Sequence, residues 1–228
     1  MPHTAAEESF YSPGGLYELA HRARHYYADL GIAMPSDVAK AVLESEVTAC
    51  FAYDWAKVSG EETWLRPVDP GQQAPDVEVV QFVERNQLTI RDELLVEVVS
   101  YTSHSPESLP RFLKRTKLDG KRAYQKNTMI LVYLERNQTR EEIQTAIQEL
   151  GDLEGHPPVF VLSRVDDDLH QYLRIYPNMS AIRQVRITEM LGSDQALVCD
   201  VRRGMKGKLG LSAEKLPVPN PFIRTENA

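Results

Sequence analysis

Cysteine is nearly absent from the chain. Only Cys50 and Cys199 occur among 228 residues, with no CxxC spacing and no histidine at metal-ligand distance along the chain from either. Neither a disulfide framework nor a zinc knuckle is expected, and a reducing compartment fits. Long apolar runs are missing as well. No stretch approaches the roughly 20 consecutive apolar residues that cross a bilayer, and Met1 to Phe10 is acidic and lacks the apolar stretch of a signal peptide. No membrane partner is expected, and the cytoplasm is the expected compartment. An excess of positive charge is lacking too. The formal net charge of −7 argues against a protein that coats phosphate backbone non-specifically, because such binding comes from cations that displace counterions. The histidines show no HExxH order and are assigned no role. The segment Gly204 to Gly210 lacks the GxxxxGKS order of a phosphate loop and reads as a basic loop.

What is present is enough apolar sequence for one substantial core. Hydrophobic residues make up 42% of the chain and charged residues 26%, the mix of a globular protein, and the length suits one domain with appendages. Helical spacing of Leu16, Leu19, Ala20, Ala23, Tyr26, Tyr27 and Leu30 predicts a first amphipathic helix ending at Gly31. A longer helix is expected from Asp37 to Val58, with Ser36 as N-cap. Trp64 to Val68 and Asp76 to Val83 read as strands around the turn Asp69-Pro70-Gly71, with Leu88 to Ile90 continuing the pairing. Leu94 to Tyr101, Thr128 to Leu134 and Val159 to Arg164 are almost continuously apolar, the pattern of strands covered on both faces. Tyr172 to Tyr176 reads as an edge strand.

Between these strands, Ser105 to Asn127 predicts a helix interrupted near Asp119-Gly120, and Thr139 to Glu142 is a capping box opening a helix to Leu150. Alternation of strand and helix implies crossovers, hence an α/β fold with a mixed central sheet flanked by helices. The expected organisation is a helical appendage over 1–35, an α/β core over 36–176 and a partly irregular extension over 177–228. There is no internal repeat. Asp166-Asp167-Asp168 reads as a turn.

Three carboxylates stand where apolar residues are expected. Asp76 opens a strand, Glu97 sits inside LLVEVVSY, and Glu46 falls on a helical wheel within the arc of Val38, Val42, Ala49 and Cys50, with Glu44 towards the Phe51 and Trp55 side. A buried acid needs a partner, and a metal ion is one. Local charge also departs from the overall balance: from Arg111 to Lys126 seven basic residues face one acid, Asp119.

The order of these features, an acid from a helix, Ala74-Pro75-Asp76-Val77, Val96-Glu97-Val98-Val99, then a basic helix and the strand MILVYL, resembles the PD-(D/E)XK nuclease superfamily over roughly Val38 to Leu134. The resemblance implies a restriction-endonuclease-like core in which Asp76 and Glu97, supported by Glu46, hold Mg²⁺, with Mn²⁺ as a substitute. Such an ion suits phosphodiester hydrolysis because it stabilises charge developing on the phosphate and needs few carboxylates. The lysine usual two residues after the second acid is here Val99, which cannot polarise a water. Branches of the superfamily with a strand of the form EVxS, matched by Glu97-Val98-Val99-Ser100, carry the lysine on the following helix. Lys121 is then the expected substitute and Lys117 the second candidate.

DNA is the implied partner, contacted by Lys114, Arg115, Lys117, Arg122 and Lys126, with a homodimer or larger protein assembly as the other partner class. Two further readings stay open. One is a nuclease fold without catalysis that binds nucleic acid or serves an assembly, which Val99 and the acidic charge favour. The other is a non-nuclease α/β interaction protein whose buried acids are structural.

Overall fold

The computed structural model describes residues 8–68, 75–85, 88–102, 104–118, 124–135, 140–150, 156–193, 197–201, 211–215 and 220–223. Among them, ten strands form one mixed sheet with five helices on its faces, an α/β architecture as expected. The helices are α1 (Pro13–Asp29), α2 (Ser36–Ser59), α3 (Leu109–Thr116), α4 (Arg140–Leu150) and α5 (Ile187–Ser193). The strands are β1 (Glu8–Tyr11), β2 (Thr63–Pro67), β3 (Val77–Arg85), β4 (Leu88–Tyr101), β5 (Thr128–Leu134), β6 (Val159–Arg164), β7 (Leu169–Tyr176), β8 (Arg183–Arg186), β9 (Leu197–Val201) and β10 (Leu211–Lys215). No described helix is long and apolar enough to cross a membrane.

The sheet runs β10-β9-β1-β2-β3-β4-β5-β6-β7-β8. Its centre, β4-β5-β6, is parallel, and every other pairing is antiparallel. Parallel neighbours need a crossover; α3 supplies it from β4 to β5 and α4 from β5 to β6. Alternation along the central strands divides the core. Val96, Val98, Met129 and Leu131 face α1 and α2, whereas Tyr101, Ile130, Val132 and Leu134 face α3 and α4. This explains the unbroken apolar runs, since each side chain in turn meets a helix layer.

Local signals set the helix ends. Ser12 caps α1, its Oγ accepting from the Gly15 amide at 3.1 Å, with Pro13 in the first turn. Pro35 rather than Ser36 takes the cap position of α2, and Gly60 closes that helix in the left-handed region at φ 73°. Among its described residues, the basic segment is helical over α3 alone. The Lys117 and Leu118 amides both return to the Leu113 carbonyl, Leu118 is buried, and the Tyr124 hydroxyl donates to the Lys117 carbonyl at 2.6 Å. The chain therefore leaves the helix there and is not helical when described again at Tyr124–Asn127.

Residues read from sequence as flanking the core are built into the sheet. Segment 1–35 contributes β1 and α1, whose Leu16, Leu19, Ala20 and Ala23 are buried in the core. Segment 177–228 contributes β8, α5, β9 and β10. Strand β8 pairs with β7 along Leu169–Tyr172, so of the segment expected at an edge only Tyr172 gains a strand partner on that side. Asp54 on α2 ties that outer part down: it is buried, accepts from the Arg183 guanidinium and takes the Tyr172 hydroxyl. Asp166-Asp167-Asp168 is a turn, with Asp166 Oδ1 accepting from the amides of Asp168 and Leu169 at 2.8 and 2.7 Å.

A Cβ at Gly60 would meet no atom within 4 Å, so only its positive φ resists substitution. Gly60→Ala is expected to destabilise the fold by about 1 kcal/mol, seen as a lower urea midpoint with an unchanged denaturant slope.

Candidate functional site

The sheet forks at Glu97. Strand β3 pairs with β4 up to Val77 opposite Val96, while β5 joins β4 from Thr128 opposite Leu95. Beyond Val96, the side of β4 that β3 has covered loses its neighbour. Backbone groups left there need partners, and Asp76 supplies them: its amide donates to the Val96 carbonyl at 3.0 Å, and its Oδ2 accepts from the Val98 amide at 2.8 Å. Asp76 therefore grips the two residues that flank Glu97.

Two charged groups meet this fork from opposite faces. From α2, the Lys40 ammonium lies 3.1 Å from Glu44 and 3.5 Å from Asp76. Glu44 and Asp76 thus share one cation, and the Asp76 charge acts on Glu44. Burial raises the Glu44 carboxyl from its ordinary 4.5 to about 7, the Asp76 charge adds to the effect, and Lys40 only partly offsets it. From α3, the Lys117 ammonium donates to Glu97 Oε2 at 2.8 Å. Glu97 is 2% exposed. It points to the α3 and α4 side, as alternation with Val96 and Val98 requires.

Several expected site residues take different places. Glu46 is not the acid that α2 brings to Asp76; Glu44 is. Glu46 receives two guanidinium bonds from Arg24 of α1, at 2.8 and 2.6 Å, and lines a separate cavity with Tyr17, His21 and Tyr133. Helix α2 is packed against α1 as well as against the sheet, so its buried surface is not the single stripe a helical wheel assumes. Lys121 and Arg122 lie outside the described residues. Lys117 is turned inward to Glu97 and is no part of an exposed basic face. Lys114, Arg115 and Lys126 are exposed, with Arg115 engaged by Glu107 at 3.0 Å. Val99 packs beside the apolar cluster under α3 and α4.

The signal for Glu44 was available in its spacing from Lys40. Positions i and i+4 share a helix face, and a lysine there marks an acid with company. Among the described residues, no three His, Cys, Asp or Glu side chains converge as a ready ligand set. No protein-family model, curated protein or solved structure matches the chain.

Two outcomes follow from these contacts. Lys117→Met leaves the Glu97 carboxylate buried without this cation and is expected to cost about 3–5 kcal/mol. The double variant Glu97→Gln, Lys117→Met should recover most of the loss, and urea unfolding of the set reads the coupling. The second concerns pH. An acid whose pKa is higher folded than unfolded binds more protons when folded, so stability falls as it ionises with rising pH. Between pH 4.5 and about 7 the wild type is expected to lose stability relative to Glu44→Gln, a difference that thermal melts across that interval measure.

Proposed function

We propose that the chain hydrolyses DNA phosphodiester bonds with a divalent metal at the fork, through a restriction-endonuclease-like core over 36–176. The observation that carries this reading is the Lys117 ammonium on Glu97, 2.8 Å away, beside the fork held by Asp76. A cation thus reaches the second acid from the following helix, while Val99 occupies the strand position where the superfamily pattern has lysine.

The donor set fits a hard cation. Asp76 and Glu44 are crowded carboxylates that a single exposed lysine compensates only in part, and Mg²⁺ is held by one or two carboxylates with water completing its shell. Asp76 and Glu44, which meet on the α2 side of the fork, would hold Mg²⁺ or Mn²⁺ with water in the remaining positions, an ion that would stabilise charge developing on the scissile phosphate and lower the pKa of a bound water. Asp76 is oriented for this by the Val98 amide. Lys117 pairs with Glu97 at 2.8 Å in a buried place and offers a hydrogen-bond donor to a water or phosphate oxygen. Lys40 supplies positive charge on the other side of the fork. The exposed Lys114, Arg115 and Lys126 suit contacts to phosphate backbone, which position a duplex without reading sequence. The cytoplasm is the compartment this reading carries, and a homodimer or larger assembly the arrangement by which both strands would be met.

A second reading rests on the same contacts. Asp76 and Glu97 each already have a lysine within ion-pair distance, and Val99 is apolar, as in a nuclease fold that has kept binding and lost cleavage.

Incubation of supercoiled and single-stranded DNA with Mg²⁺ or Mn²⁺ separates the two. The expected result is cleavage that Asp76→Asn, Glu97→Gln or Lys117→Met lowers by about 10²–10⁴-fold and that Glu46→Gln leaves within a few-fold. DNA binding without cleavage, unchanged by the substitutions at the fork, would establish the second reading instead.

A further inference from the structure

Away from the fork, α1 and α2 enclose a cavity of about 760 Å³ with the C-terminal ends of β5 and β6, lined among others by Tyr17, His21, Arg24, Glu46, Tyr133 and His170. In open α/β sheets ligands collect beyond the carboxyl ends of parallel strands, which is where this cavity lies. Its polar capacity is not used up. His170 is 8% exposed, and its Nδ1 is buried with no hydrogen-bond partner among the described residues.

At the rim, His21 and His25 are one helical turn apart in the run His21-Arg22-Ala23-Arg24-His25, an HxxxH pairing in histidines that the sequence reading credits with no such pairing and no role. Their Nε2 atoms converge to 3.0 Å, with the rings at 78°. Tyr17, one turn earlier, lies near-parallel to the His21 ring, at 16° with the ring centroids 6.4 Å apart. Both histidines are exposed, so burial does not force their nitrogens together. A single N–H···N bond would satisfy that spacing. So would a shared ion: two imidazoles bound about 2.0–2.1 Å from one metal at neighbouring positions place their nitrogens roughly 3 Å apart.

We propose that His21 and His25 form a binding site for a borderline divalent transition ion, of the zinc, nickel or copper class that imidazole prefers, at the rim of this cavity. The site has two protein ligands, since among the described residues no third His, Cys, Asp or Glu joins them. The other coordination positions are left to water or to a donor atom of whatever occupies the cavity. The inference does not depend on nuclease activity, because neither histidine belongs to the fork.

The test titrates the full chain, free of any polyhistidine tag, with Zn²⁺ and with Ni²⁺ by calorimetry. In the Asp76→Asn, Glu44→Gln background, which removes the fork carboxylates, one saturable equivalent is expected. His21→Ala and His25→Gln should each weaken it about tenfold or more, the loss already caused by removing outer-shell partners of metal ligands. Both positions are exposed on a helix, so circular dichroism of the variants should match the wild type. Asp76→Asn and Glu44→Gln should leave the affinity unchanged, which separates this site from the fork. Absence of saturable binding by the wild type, or binding that both histidine substitutions leave intact, overturns the proposal.

Discussion

A strand that loses its neighbour midway leaves backbone amides to be satisfied by something else, and the fork at β4 is where this chain meets that constraint. Strand β4 is long because it serves two partners in succession, β3 along its first part and β5 along its last. At the changeover the Val98 amide faces outward from the ladder, and the Asp76 carboxylate takes it. A carboxylate is a stronger acceptor for a buried amide than a carbonyl. Once it is fixed there, the rest of the site assembles around it. The helix that crosses one face brings Lys40 and Glu44, and the crossover helix on the other face brings Lys117 to Glu97.

The charges at the fork are balanced across the sheet, not within one element. A carboxylate at 2% exposure needs a partner, and the cation beside Glu97 comes from a segment 20 residues further along the chain. This gives α3 a reason to stop where it does. Leu118 is buried, the Tyr124 hydroxyl bonds the Lys117 carbonyl, and the lysine is aimed back at the strand instead of along the helix surface. On the other face compensation is incomplete, with two carboxylates sharing one lysine, and the Glu44 proton is correspondingly hard to remove.

Helix α2 separates two polar regions that use neighbouring acids. Glu44 belongs to the fork, and two residues later Glu46 belongs to the cavity behind α1, where Arg24 holds it in a two-point bond. A two-residue step turns a helix by about 200°, so adjacent acids serve opposite sides once the helix is buried on both. Deletion of one therefore leaves the other's environment intact, which is why the two make a clean comparison.

The sequence by itself determined the elements and the class of fold. Apolar runs bounded by turn residues marked β4, β5 and β6, helical spacing marked α1 and α2, and their alternation implied crossovers and a mixed sheet, because periodicity and strand-helix order are local properties of a chain. It also marked Asp76 and Glu97 as acids out of place. Only the tertiary structure decided their company. Which acid of α2 approaches Asp76 depends on α1 covering the other side. That Lys117 reaches Glu97 depends on where α3 ends against the sheet. The meeting of β1, β9 and β10 with β2 depends on pairing between segments nearly 200 residues apart. Each of these is set by packing between distant segments, and no window along the chain contains it.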